Sequence, residues 1–299
     1  MKPLPFLLLL LPLWLSGQSY VDLLKIGYGY SPETAFEDDN LQTGITFADY
    51  DLLLPIPLGG RTTLLTGSTG AYNRLQPDPG SPELKLYSAA LYLGLNLTHR
   101  NGWTSTHMLL PRLASAFDNG RAQWQWGTLQ LLERKRGDRQ TLGFGFYLNT
   151  EEYGVMWVPL LTYYLHHPQD AWEVRLLFPS RGDFNVRLSE RWRAGTSFDA
   201  LGSSFPIETP EFGPAYVQRI SNDLSLYLQH HFSPSLLIGF KAGYSIARSY
   251  RVYGAEDTVK ISIANIFFDD PRSSLNQSVR SGLLFQFRLT YRFHLPTSE

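Results

Sequence analysis

Apolar and polar residues alternate along residues 283–295, which read LLFQFRLTYRFHL. The bulky apolar members are Leu283, Phe285, Phe287, Leu289, Tyr291, Phe293 and Leu295. Between them lie Gln286, Arg288, Arg292 and other, mostly polar, residues. Because a period of two places the two sets on opposite faces of a β-strand, the segment predicts a strand with one apolar and one polar face.

The same alternation recurs in other segments of the chain, which are Leu91–Leu97, Leu142–Leu148, Trp172–Phe178 and Leu236–Ile246. Turn-forming residues separate such segments at Pro57–Arg61, His99–Gly102, Glu133–Arg139, His167–Asp170, Ser189–Arg191 and Ser233–Ser235. Between these turns we expect longer connections, such as Ser31–Asn40 and Tyr253–Gln277. Alternating short turns and long connections are typical of an outer-membrane barrel. The spacing predicts about 12–14 antiparallel strands in up-and-down order.

Two all-β architectures fit this pattern, because a soluble sandwich buries the apolar faces and a membrane barrel exposes them to lipid. The composition favours the transmembrane barrel, since 14% of residues are aromatic and only 18% are charged, below the usual quarter. Residues 283–295 also exceed the 9–11 residues that a tilted membrane strand requires.

The first 18 residues predict a cleaved signal peptide. Lys2 precedes an apolar run, Leu4–Leu15, that is too short to span a bilayer as a helix, and small or polar residues follow it. Residues 1–18 are therefore assigned to the signal peptide and residues 19–299 to the barrel. This division predicts export to the outer membrane.

Four short segments resemble an uncharacterised family of outer-membrane β-barrel proteins found in Gram-negative bacteria of the Bacteroidota type. They are Leu54-Pro55-Ile56-Pro57, Leu64-Leu65-Thr66-Gly67, Trp172–Pro179 and Leu289–Phe293. The resemblance implies the fold and the location, and it implies no defined activity. Pro296–Glu299 departs from the family, many of whose members end on the aromatic residue itself.

Charged residues are expected to face the lumen, because Arg or Lys facing lipid at the membrane midplane costs about 2–4 kcal/mol. The alternate apolar positions are then expected to face lipid. The candidates for lining the lumen are Lys25, Glu173, Arg175, Arg187, Arg193, Lys241, Arg288 and Arg292. The lipid-facing candidates are Phe240, Tyr244, Phe285, Phe287, Leu289, Tyr291 and Phe293. These sets favour a passive, narrow channel for small solutes with a cationic bias. The alternative is a closed barrel with a structural or surface-interaction role.

An enzyme is not expected from this sequence. It has no Cys and lacks G-x-S-x-G, H-E-x-x-H, phosphate-loop and EF-hand motifs, so no cofactor or metal site is predicted. Ser105 and His107 share a strand face, but local spacing places no acid beside them, which makes a lipid hydrolase the least favoured alternative. The net charge of −1 gives no basic field for nucleic acid.

The expected partners are outer-membrane lipid and lipopolysaccharide, together with the barrel-assembly machinery during biogenesis. Acidic residues concentrate in the longer connections, where they are expected simply as the charges of solvated loops. The alternative is that they bind divalent cations that bridge lipopolysaccharide, or repel anionic solutes at the mouth of the barrel. These acidic residues include Glu37, Asp38, Asp39, Glu151, Glu152, Glu208, Glu211, Glu256, Asp257, Asp269 and Asp270.

Overall fold

The structure is a computed structural model that describes residues 20–38, 40–116 and 121–294. The predicted signal peptide, Asp39 and Leu295–Glu299 lie outside the described residues. Fourteen strands build the wall: β1 (Tyr20–Ala35), β2 (Gln42–Gly59), β3 (Thr62–Leu75), β4 (Leu84–Thr98), β5 (Trp103–Ala116), β6 (Arg121–Arg136), β7 (Gln140–Glu151), β8 (Gly154–His166), β9 (Trp172–Phe178), β10 (Arg181–Arg187), β11 (Trp192–Thr209), β12 (Gly213–His231), β13 (Leu236–Gly254) and β16 (Gly282–His294). Two short strands, β14 (Ile261–Ile263) and β15 (Ile266–Phe267), form a hairpin in the connection between β13 and β16.

Neighbouring wall strands are antiparallel and follow chain order, except that β16 lies between β13 and β1. The pairing of β8 with β9 closes the sheet into a cylinder. The fold is therefore a closed, up-and-down, 14-stranded barrel, which confirms the predicted class and the upper end of the predicted strand number. Among the described residues, no helix is long and apolar enough to cross a membrane.

The two ends of the barrel differ in their connections. Tyr20, His294 and the six predicted short turns lie at one end, which we call the turn end. The opposite end, called the loop end, carries the connection of residues 255–281. The expectation of long connections throughout the loop end was wrong. β1 continues to Ala35, and only two or three residues join β7 to β8, β9 to β10 and β11 to β12, because these strands pair almost to their tips.

Large apolar side chains cover the outer face of the wall. In β16 the exposed and buried positions alternate as the sequence predicts, with Phe287 60% exposed and Gln286 and Leu284 buried. Of the lipid-facing candidates, Phe240, Tyr244, Phe285, Phe287, Leu289 and Tyr291 are exposed, and Phe293 is half-buried. Each such side chain gains about 1.5–3 kcal/mol when an apolar medium covers it. Their contact with lipid stays a prediction.

The interior at the loop end is filled by a hydrophobic cluster, called the loop-end core. It draws buried side chains from both sides of the barrel and from the connection of residues 255–281. The largest are Phe36, Ile45, Leu75, Leu84, Leu86, Phe205, Ile207, Val217, Tyr250, Val252 and Val279. In this core β11 approaches β5 and β6, which lie nearly opposite it in the ring, to within 8 Å between Cα atoms. The cylinder is therefore flattened and filled at this end.

A notch interrupts the wall where β9 and β10 have only seven residues each. The half of β8 near the loop end extends beyond β9 and pairs instead with β14, which runs parallel to it from Val155 to Trp157. On the other side of the notch, the Asn265 amide donates to the carbonyl of Leu201 in β11 at 3.4 Å. The β14–β15 hairpin thus bridges the notch between β8 and β11.

Two glycines test how closely the wall is packed. A Cβ atom on Gly145 would lie 1.9 Å from the Gln130 carbonyl oxygen, whereas one on Gly239 would meet nothing closer than 3.9 Å. We expect Gly145→Ala to lower the free energy of unfolding by about 1–3 kcal/mol, since backbone must move to admit the methyl group. Gly239→Ala is the matched control and should change it little. Urea titration followed by heat-modifiable gel mobility measures both, and equal shifts would contradict the packing described.

Candidate functional site

A polar cluster crosses the lumen at the turn end, and we call it the turn-end cluster. The Tyr20 hydroxyl of β1 donates to Glu173 of β9 at 2.8 Å, and Arg175 donates to both, at 2.9 and 3.0 Å. Arg292 of β16 stacks on the Tyr20 ring at 3.4 Å and donates to Asp22 at 2.6 Å. Because β1 and β9 are six strands apart in the ring of fourteen, these bonds join nearly opposite walls.

A polar cavity of about 160 Å³ lies beside this cluster, and we call it the first chamber. Asp199 of β11 is its central acid, with Arg181 Nε at 2.9 Å and Lys241 Nζ at 3.4 Å. Lys25 reaches Asp22 at 3.5 Å. The chamber is therefore lined by ion pairs, one within β1 and the others joining β11 to β10 and β13.

A second chamber of about 300 Å³ adjoins the first and shares Lys25, Arg181, Asp199, Lys241 and Arg288 with it. Asp49 of β2 accepts from Gln286 at 2.8 Å and from Arg288 at 3.4 Å. The buried Nε atoms of Arg219 and Arg288 have no protein partner. A buried donor without a partner is costly, so these atoms favour water or a solute bearing an acceptor group inside the lumen.

The lumen narrows beyond the second chamber. The Arg248 guanidinium is held by Ser31, by Thr34 at 3.0 Å and by the Arg280 carbonyl at 3.0 Å. Arg280 belongs to the connection of residues 255–281, so this contact joins that connection to the wall. The loop-end core follows, with side chains from both sides of the barrel.

A buried carboxylate tethers β11 across the loop end. Glu151, at the end of β7, accepts from the backbone N–H of Ser204 at 2.7 Å and from its hydroxyl at 2.6 Å. Arg112 of β5 lies 3.4 Å from the same carboxylate, and its guanidinium stacks over Phe205 at 5.2 Å. The sequence suggested a solvated loop carboxylate here. The structure corrects that interpretation, because Glu151 is buried and supports the inward path of β11.

Two other acidic residues of the connections form ion pairs within the chain. Glu37 pairs with Arg251 at 3.0 Å, and Asp270 pairs with Arg272 at 2.7 Å. The hydrogen bond from Arg272 holds the pKa of Asp270 below its usual range. In the described part of the chain, no three acidic or histidine side chains are grouped as metal ligands. Cation bridging to lipopolysaccharide therefore stays a prediction.

The structure brings most of the predicted lumen residues together. Those that line the first chamber are Lys25, Glu173, Arg175, Arg193, Lys241, Arg288 and Arg292. Arg187 lies apart from them: it is partly exposed at the turn end, 3.6 Å from Asp170, and donates to the Gln169 carbonyl at 3.0 Å. Whether any of these residues contacts a solute stays a prediction.

Sequence reasoning identified Glu173 and missed the other acidic residues of the lumen. Asp49, Asp51, Asp183 and Asp199 line the chambers, so acids nearly balance bases there and a cationic bias is weak. The segment Ala48–Leu52, with sequence ADYDL, carried a usable pattern, since two aspartates alternate with outward-facing residues. The other two required the pairing of β10 with β11, which places their strands side by side.

Comparison with solved structures finds outer-membrane barrels of similar extent. An outer-membrane channel from Pseudomonas putida F1 shares 7% identity, covers 93% of this chain and 98% of its own, and has a TM-score of 0.47. The monoaromatic hydrocarbon channel TodX, as a deletion mutant, shares 10% identity over 91% of this chain and 90% of its own, with a TM-score of 0.42. OccK5 from Pseudomonas aeruginosa shares 10% sequence identity over 92% of this chain and 97% of its own, with a TM-score of 0.31. Likeness at these levels says nothing about what this chain binds or transports.

No protein-family model and no curated protein matches the chain. The resemblance to the Bacteroidota-type family therefore stays a prediction.

The turn-end cluster yields a stability prediction. Glu173→Ala removes the acceptor of Tyr20 and Arg175, and we expect the free energy of unfolding to fall by about 2 kcal/mol. This is less than a fully buried pair would lose, because Arg175 remains about one-third exposed. Asp138→Ala, which breaks an exposed pair with Lys135, is the control and should change it by less than about 0.5 kcal/mol. Urea titration measures both, and equal losses would show that the cluster is not a structural bridge.

Proposed function

We propose that this chain is an integral outer-membrane protein that forms a narrow channel for small polar solutes. The observation that carries the proposal is the pair of adjoining polar chambers inside a closed barrel with an apolar outer face. Closed barrels satisfy every wall hydrogen bond internally, which is what a strand-built protein needs in a bilayer. The exposed apolar side chains then contact outer-membrane lipid, and the short turns face the periplasm.

The chambers favour small solutes that carry hydrogen-bond acceptors. Their volumes of about 160 and 300 Å³ are on the scale of a small molecule rather than a polymer. The unpartnered Nε atoms of Arg219 and Arg288 supply donors, and the nearby aspartates limit the preference for anions. A passing solute would exchange hydrogen bonds with these groups, which replaces part of its hydration.

The loop-end core favours the second candidate, a closed barrel with a structural or surface-interaction role. Its buried side chains come from opposite walls and occupy the interior there. A channel therefore requires the loop end to open, and the connection of residues 255–281 is the element whose movement would do so. Conductance separates the two functions.

Removal of the connection of residues 255–281 should increase the conductance of the barrel. Replacing residues 256–278 with a short Gly-Ser linker removes the β14–β15 hairpin and reopens the notch between β8 and β11. We expect larger and longer single-channel openings in planar bilayers than with the unaltered protein. Replacing residues 137–139, which join β6 to β7 at the opposite end, is the control for altering a connection. Silence of both the unaltered and the 256–278 variant, with heat-modifiable folding intact, would favour the closed barrel.

Arg288 should influence which ions the barrel conducts. Arg288→Gln removes a cation shared by both chambers and leaves Asp49 without its ion pair. We expect the reversal potential in a salt gradient to shift toward cations. Arg134→Gln is the control, because Arg134 stacks on Trp103 and is not among the residues lining either chamber. A shift of equal size in the control would contradict passage through the chambers.

A further inference from the structure

A polar cluster interrupts the apolar outer face near the turn end, and it is independent of the lumen. His107 is exposed on β5, and its neighbours Leu95 and Leu109 are exposed apolar residues of the same face. Ser105 lies two residues from His107 on the same strand and is buried, with 7% of the residue exposed. The pairing of β5 with β6 places Gln130 directly opposite His107. A group of this kind is unexpected where leucine would suit a lipid surface, so it calls for a functional explanation.

Hydrogen bonds fix the orientation of Gln130. The Thr128 hydroxyl donates to the Met108 carbonyl at 2.9 Å, so its oxygen is free to accept from the Gln130 amide nitrogen at 2.7 Å. The Gln130 carbonyl oxygen then faces His107 Nδ1 at 2.5 Å. Because that oxygen can only accept, Nδ1 carries the imidazole proton.

The same hydrogen bonds determine to which atom the Ser105 hydroxyl donates. With the proton on Nδ1, His107 Nε2 is the basic nitrogen, and it lies 3.1 Å from the Ser105 hydroxyl oxygen. Ser105 therefore donates its proton to Nε2. His99 Nε2 lies 2.7 Å from the same oxygen, whose proton is already committed, so His99 is the donor in that bond.

We propose that Ser105, His107 and Gln130 form a hydrolytic site for the acyl esters of membrane lipids. Ser105 is the nucleophile, His107 is the general base, and Gln130 holds the tautomer that leaves Nε2 basic. This combination of nucleophile, base and orienting acceptor defines covalent acyl transfer on unrelated folds. The activity goes beyond the channel function and does not depend on the lumen.

The reaction balances without any further reagent than water. Ser105 Oγ bonds to the ester carbonyl carbon while its proton moves to His107 Nε2. The carbon–oxygen bond to the lipid alcohol then breaks, and the alcohol leaves with that proton. Water, deprotonated by His107, attacks the acyl-serine, and the products are a fatty acid, the lipid alcohol and the free serine.

The location selects lipid as the substrate class. Ser105 is two residues from Trp103, the first residue of β5 at the turn end, and Arg134 stacks on Trp103 at 5.5 Å. Aromatic and cationic side chains of this kind mark the membrane interface. Lipid esters lie at the boundary between headgroups and acyl chains, which is the depth that Ser105 would occupy.

The test uses the full chain, folded in detergent micelles and in phosphatidylcholine vesicles. An alkyl fluorophosphonate with a fluorescent label reports an activated serine, and release of fatty acid from the vesicles reports hydrolysis. We expect labelling and fatty-acid release from the unaltered protein, and loss of both to background in Ser105→Ala. Ser189→Ala, a serine in a turn at the same end, is the matched control and should retain both.

Variants of Gln130 distinguish orientation from packing. Gln130→Leu keeps the size but removes the acceptor, and we expect the labelling rate to fall by about 100-fold. Gln130→Glu restores an acceptor for Nδ1 and should recover most of the rate. Heat-modifiable migration verifies that each variant folds. Absence of labelling in the folded, unaltered protein, labelling that persists in Ser105→Ala, or equal rates in both Gln130 variants would each overturn the proposal.

Discussion

Closure of the backbone hydrogen-bond ladder is the constraint on which the rest of this structure depends. A strand edge facing an apolar medium would leave unpaired N–H and C=O groups, each of which costs several kcal/mol. Here β16 pairs with β1, and β9 pairs with β8, so the wall strands form a ring. Where β9 ends early, β14 covers part of the exposed edge of β8. Once the ring is closed, each strand must present one face outward and the other inward.

The ring of fourteen strands encloses a wide lumen, and the side chains inside it differ between the two ends. Eight-stranded barrels can be filled by wall side chains, whereas fourteen strands enclose more space. At the turn end the space holds ion pairs and polar chambers. At the loop end, β11, β12 and β13 have 18 or 19 residues, more than the 9–11 that a membrane requires. Their excess length encloses the loop-end core, so that part is packed like a soluble protein.

Periodicity predicted what depends on a single strand and missed what depends on pairs of strands. The faces of β16 followed from the spacing of Phe287 and Gln286, and the turns followed from local composition. The carboxylates beside Arg288 and Lys241 were missed, because Asp49 and Asp199 reach them from other strands. The same limit explains why Ser105 and His107 were recognised as sharing a face while Gln130 was not. Its position depends on the register of β5 with β6, which one sequence does not specify.

The loop-end core could not be read from the sequence for a related reason. Residues such as Phe205 and Val217 occupy inward positions, where the barrel pattern leads one to expect polar side chains. Their burial depends on the inward path of β11, which Glu151 supports through Ser204. That tether spans more than fifty residues of sequence. A carboxylate at the tip of a hairpin reads as solvated until the opposite strand is known to approach it.

The turn-end cluster and the loop-end core both occupy the lumen, and they differ in the free energy needed to open them. The turn-end cluster consists of charged and hydroxyl groups, which water can solvate when their mutual bonds break. The loop-end core must expose apolar area, at about 25 cal/mol per Å², before water can enter. A second buried cluster at this end includes Tyr216 and Tyr253. Arg272 lies against it, with its guanidinium 4.4 Å from the Tyr253 ring and 4.5 Å from the Phe267 ring. Permeation through this barrel would thus be controlled at the loop end, where the connection of residues 255–281 joins the wall.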